Sequence, residues 1–163
     1  MTKLRLIVAD DSPLFLQKLI SLLAVEFDVV ATAADGKTAL DLIRRYEPDL
    51  VVLDLQMPAL NGIEVTRELA QNPPSPPVVI CSTETDPEIV EAAREAGAVE
   101  YVFKARIETD LILATKSAVQ KNPFVALPIA ASILPKQSIS PDKLSPDDCG
   151  TAEYIKRWAM FCG

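Results

Sequence analysis

Over its first 120 residues the chain switches repeatedly between two hydrophobic periods, and few architectures satisfy that alternation. Apolar runs, the mark of strands buried on both faces, stand at Leu4–Ala9, Val29–Ala33, Leu50–Leu53 and Val78–Cys81, with a fifth at Glu100–Phe103. Between them lie stretches with helical spacing. Ser12 and Pro13 open the first as N-cap and first helical residue, and Leu14, Phe15, Leu19, Leu22 and Leu23 follow. "DGKTALDLIRRYEP" and "NGIEVTRELAQ" read as the second and third helices. "DPEIVEAAREAG" is the fourth, with Asp86 as cap and Gly97 just past its end, and Thr109–Val119 the fifth. Strands that alternate with helices form a parallel sheet covered on both faces. With five of them the expected order is 2-1-3-4-5, and ligands sit where that order reverses, beyond the carboxyl ends of the first and third strands.

Those two strands both end in acid. "LRLIVADDSP" breaks off at Asp10 and Asp11, and "VVLDLQMP" at Asp54. An unpaired buried carboxylate is costly, so three converging on one cleft point to a hard cation or a reaction. Magnesium suits a site of carboxylate oxygens and retained waters. Beside it, one carboxylate can act as a nucleophile toward phosphorus. A phosphoryl group then needs positive charge and hydrogen-bond donors around its oxygens. The remaining strand ends offer Ser82, Thr83 and Lys104.

The pattern resembles the receiver domain of two-component response regulators, of the chemotaxis-regulator type. The acidic pair Asp10-Asp11 is followed by Asp54, with Met57-Pro58 three and four residues on and Gly62 eight on. Ser82 then stands fifteen residues before Gly97, Tyr101 four after it, and Lys104 three after the tyrosine. No piece is specific alone; all of them in this order are. The resemblance implies a flavodoxin-like α/β fold over residues 1–122, with Asp54 as phosphoacceptor for a sensor histidine kinase or phosphotransfer protein. It implies Mg2+ held by Asp10, Asp11, Asp54 and the backbone carbonyl of Gln56. Lys104 would pair with the phosphoryl oxygens, Ser82 (or Thr83) would hydrogen-bond them, and Tyr101 would follow as the linked switch. In such domains the output surface is built from helix four, strand five and helix five, where Glu91, Arg94, Tyr101, Arg106 and Lys116 fall. Dimerisation on phosphorylation is expected there or through the tail. Ala105 stands where many receivers have a cis proline, so the Lys104–Ala105 bond should be trans.

Composition narrows the field. There is no histidine among the 163 residues, which removes His-dependent nucleophiles and requires a phosphodonor on another protein. The five glycines form neither GxGxxG nor a P-loop. A net charge of -7, all of it within residues 1–122, argues against direct nucleic-acid binding. The N-terminus shows no signal peptide, and "FVALPIAASIL" is too short to span a bilayer. Three cysteines without metal-ligand spacing fit a cytoplasmic setting. Residues 123–163 read as a proline-rich extension or linker, partly disordered, on a single-domain receiver that is not an enzyme beyond Mg2+-dependent self-phosphorylation and autodephosphorylation. The alternative is a piece of a longer DNA-binding regulator, since "LSPDD" faintly resembles the opening of such a domain. A haloacid-dehalogenase-type phosphohydrolase needs a second acid where Gln56 stands. A plain metal-binding module leaves Ser82 and Lys104 unexplained.

Overall fold

The computed structural model describes residues 2–121; what was expected of residues 123–163 lies outside them. Five parallel strands run β1 (Arg5–Ala9), β2 (Asp28–Ala33), β3 (Leu50–Asp54), β4 (Val78–Ser82) and β5 (Glu100–Phe103), paired in the order β2-β1-β3-β4-β5. The helices are α1 (Pro13–Leu23), α2 (Gly36–Tyr46), α3 (Gly62–Gln71), α4 (Pro87–Ala96) and α5 (Ile107–Lys121).

Every residue of β3 and β4 is buried, as the unbroken apolar runs require. Alternate side chains feed two cores. Leu6, Val8, Leu50 and Val52 pack with Leu19 and Leu23 of α1 and Leu111 and Ala114 of α5. Ile7, Val51, Leu53 and Ile80 pack with Leu40 and Ile43 of α2, Val65 and Leu69 of α3, and Val90 of α4. The pairing register sets Ala9 beside Leu53, Asp54 beside Cys81 and Ser82 beside Phe103. The strands therefore end level, and Asp10, Asp54, Ser82 and Lys104 emerge at one edge of the sheet.

The helices start where their caps predict. Ser12, Asp35, Asn61 and Asp86 are the N-caps of α1 to α4, and Asn61 with Glu64 completes a capping box. Two expectations need correction. Leu14 belongs to no core: it is 86% exposed, because it shares a helical face with exposed Lys18 while Leu19 and Leu23 take the buried stripe. The fifth helix begins at Ile107, not Thr109, since a 3-10 turn at Lys104–Arg106 leads straight into it and Ile107 fills the core. Among the described residues the cis peptide is Pro73–Pro74, so Lys104–Ala105 is trans as anticipated.

Candidate functional site

The loop after β3 carries Asp54 and is shaped by close backbone contacts. Gly62 at the start of α3 donates its N–H to the Leu55 carbonyl at 2.9 Å, and a Cβ there would lie 2.5 Å from the Asp54 carbonyl oxygen. Gly36 at the start of α2 donates to the Pro58 carbonyl at 3.2 Å, and a Cβ there would strike the Leu60 backbone. Only glycine allows two helix starts to press this closely on one loop. The loop after β1 is held by its own acid: Asp10 Oδ1 accepts from the Ser12 N–H at 2.8 Å.

The three acids meet as their strand positions predict. One carboxylate oxygen from each of Asp10, Asp11 and Asp54 lies within 4.8 Å of the others. Asp10 and Asp54 are buried and Asp11 is exposed, so the cluster has a dry floor and a wet mouth. This all-oxygen donor set fits a hard divalent cation that keeps some of its water. Lys104 reaches in from the end of β5, its Nζ 2.7 Å from Asp10 Oδ2 and 3.3 Å from Asp54 Oδ1. Burial, then the neighbouring charge of Asp10, push the Asp54 carboxyl up to about 6, with Lys104 opposing them. Burial works against the charge on Lys104, but its hydrogen bond to Asp10 and the charge of Asp54 outweigh it and hold the ammonium above its ordinary pKa.

Ser82 is buried at the end of β4, and its Oγ accepts the Glu84 N–H at 3.0 Å. Tyr101 is 4% exposed and donates its hydroxyl to the Glu84 carbonyl at 2.9 Å. Both side chains are thus tied to one backbone unit of the β4–α4 loop. Burial pushes the Tyr101 phenol up to about 12, so it remains a donor at any physiological pH. Thr83 is exposed on the same loop. Gln56 is exposed two residues beyond Asp54 and lines a cavity of about 420 Å3 with Asp11, Met57, Pro58 and Ile89. Cys81 is a core residue whose thiol burial pushes up to about 12.

Of the charges assigned to the helix-four, strand-five and helix-five surface, Arg94 pairs with Glu91 and Arg106 with Asp110. Lys116 instead turns to Glu26, beyond the end of α1. The residue that sequence reading passed over is Phe15, placed there among the apolar residues of the first helix. Its ring centroid lies 4.2 Å from Lys104 Nζ, and it is only half-buried. No local signal separates such an aromatic from the rest of an amphipathic stripe. The Glu84 backbone was equally invisible, because its role does not depend on its side chain.

A doubly wound parallel sheet with an acidic cluster, an ammonium and a buried hydroxyl at its switch point defines a domain of the receiver class. The response regulator receiver domain family matches residues 6–116, and the chain belongs to it, which places it in two-component signalling. It is 30% identical over 159 residues to the transcriptional regulatory protein DegU of Brevibacillus brevis, a match that covers 95% of this chain and 67% of DegU. It is 35% identical over 118 residues to the transcriptional regulatory protein PdtaR of Mycobacterium tuberculosis, covering 72% of this chain and 57% of that protein. The signal receiver domain of the putative response regulator NarL from Mycobacterium tuberculosis superposes with a TM-score of 0.72 at 30% identity, covering 75% of this chain and all of that one. The chain thus spans between half and two-thirds of the length of these two regulators.

Proposed function

We propose that this receiver is a phosphoacceptor in which Asp54 takes a phosphoryl group from the phosphohistidine of a sensor kinase or phosphotransfer protein. The observation that carries this reading is the arrangement of Asp54: buried, in contact with Lys104 and within 4.8 Å of two further carboxylates. An oxygen of Asp54 attacks phosphorus as the N–P bond of the donor breaks, and the electron pair leaves on the imidazole nitrogen. Asp10, Asp11, Asp54 and the Gln56 backbone carbonyl would hold Mg2+, which when bound supplies positive charge to the phosphoryl oxygens. Lys104 adds its ammonium to the same oxygens. Ser82 exchanges its bond with the Glu84 N–H for one to the phosphoryl group, with exposed Thr83 beside it. Moving Ser82 pulls on the backbone that also holds Tyr101, which couples the site to the α4–β5 surface. The phosphorylated arrangement favours whichever partner, or second copy, binds it better. Incubation with Mg2+ and acetyl phosphate should add one phosphoryl group by intact mass, and Asp54→Asn should add none. Unmodified wild type, or steady release of phosphate from esters, would overturn the reading.

A second reading concerns the whole protein. The similarity to DegU extends over 159 residues, well past the 6–116 receiver match. That favours a longer DNA-binding transcriptional regulator over the single-domain receiver expected from sequence. Cytoplasmic location belongs with either reading; among the described residues no helix is long and apolar enough to cross a membrane.

A further inference from the structure

We infer that Phe15 is a positioning residue of this site: its aromatic face holds the Lys104 ammonium over Asp10 and Asp54. The Lys104 side chain is 10% exposed, and its Nζ lies 2.7 Å from Asp10, 3.3 Å from Asp54 and 4.2 Å from the Phe15 ring centroid. A cation that close to a ring centroid is attracted to its negative face, the more so where water is excluded. Lysine is otherwise poorly suited to a precise place, being a compact charge on a four-carbon stem with several torsions. The ring restricts that freedom by holding the ammonium over its face, 4.2 Å from the centroid.

The ring is itself fixed. Phe15 is the third residue of α1, and its N–H donates to the Ser12 Oγ that caps the helix, at 3.4 Å. Its side chain packs against the core formed by Leu19, Val52 and Leu111, yet remains half-buried. A residue serving the core alone would be satisfied by leucine. The juxtaposition with Lys104 is what requires an aromatic face. On the phosphoacceptor reading above, the ring keeps the ammonium aimed at the oxygens that an incoming tetrahedral anion places beside Asp54.

Two measurements on wild type, Phe15→Leu and Phe15→Trp test this. The first is the rate at which an amine-acylating reagent modifies Lys104, followed by peptide mass at fixed pH. It depends on neither metal nor phosphate. Phe15→Leu keeps an apolar side chain, of smaller volume, and should expose Lys104 to roughly tenfold faster modification, while Phe15→Trp restores protection. The second is binding of beryllofluoride with Mg2+, beside Mg2+ alone. Phe15→Leu should weaken beryllofluoride roughly tenfold and leave Mg2+ affinity near that of wild type; Phe15→Trp should recover it. Equal acylation rates in wild type and Phe15→Leu would overturn the inference, as would equal loss in the leucine and tryptophan variants. Wild type that binds no beryllofluoride, with Lys104 still protected by the ring, would uphold the positioning role and overturn the phosphoacceptor reading.

Discussion

Val52 and Asp54 stand two residues apart on β3, share a face by the period of a strand, and are 0% and 4% exposed. Equal burial has opposite consequences for them. In the middle of the sheet, removing apolar side chains from water is the source of stability. At the carboxyl edge, the same burial desolvates carboxylates and pushes Asp54 toward its neutral form, with Lys104 only partly offsetting the effect. The body of the sheet is built to stay folded, and its edge is held away from its own optimum. A cation and an anion arriving together would relieve that edge, which is what a switch responsive to phosphate requires.

The largest effect should come from the body. Ile80 is fully buried in β4, in the core that the sheet shares with α2, α3 and α4. Ile80→Ala should cost about 2–5 kcal/mol in urea unfolding, with no recovery on adding Mg2+. At the edge, Lys104→Met leaves Asp10 and Asp54 without their ammonium. Its loss of stability, on the order of 2–3 kcal/mol at pH 8, should shrink as pH falls and when Mg2+ is added. A loss independent of both would mean that Lys104 stabilises by packing, and the contrast between body and edge would fail.

Asp54→Asn sharpens the contrast by changing sign. The folded pKa of Asp54 is about 6 against an ordinary 3.8, so the folded chain holds a proton that the unfolded chain releases. The stability this lends is complete below about 4 and is lost as pH rises through about 6. Ionised Asp54 therefore costs stability at pH 8, and the Asn variant should be more stable there by on the order of 1–2 kcal/mol in Mg2+-free buffer. The advantage should vanish near pH 4, as urea midpoints at the two pH values would show. The smallest effect belongs to the solvated surface. Arg44 and Glu68 lie 3.4 Å apart, each about half exposed, and Arg44→Ala should change stability by less than about 0.5 kcal/mol.

Strand and helix positions were legible because β3 and β4, buried on both faces, need unbroken apolar runs, and because Ser12, Asn61, Asp86 and Gly97 mark helix ends by local hydrogen bonding. Asp10, Asp11, Asp54 and Lys104 were legible because a parallel sheet sends every strand end to one edge. Leu14 was misplaced for want of a fixed helical phase: seven large apolar residues in the eleven positions of α1 allow more than one stripe, and only packing against β1 and α5 selects it. Phe15 was read only as one of the apolar residues at helical spacing, since an aromatic that faces an ammonium looks the same in sequence as one that faces leucine.

The sequence by itself determined the alternation of strand and helix that builds a parallel sheet, because those periods are local properties, and its motif spacing, through the resemblance it carries, pointed to the strand order and to the convergence of three acids and a lysine. The tertiary structure alone decided that Lys104 bridges Asp10 and Asp54 under the ring of Phe15, and that Ser82 and Tyr101 share the Glu84 backbone. Apart from the short-range Ser82–Glu84 bond, those contacts join residues 17 to 94 positions apart through side-chain directions and loop backbone, which carry no periodic signal in the chain.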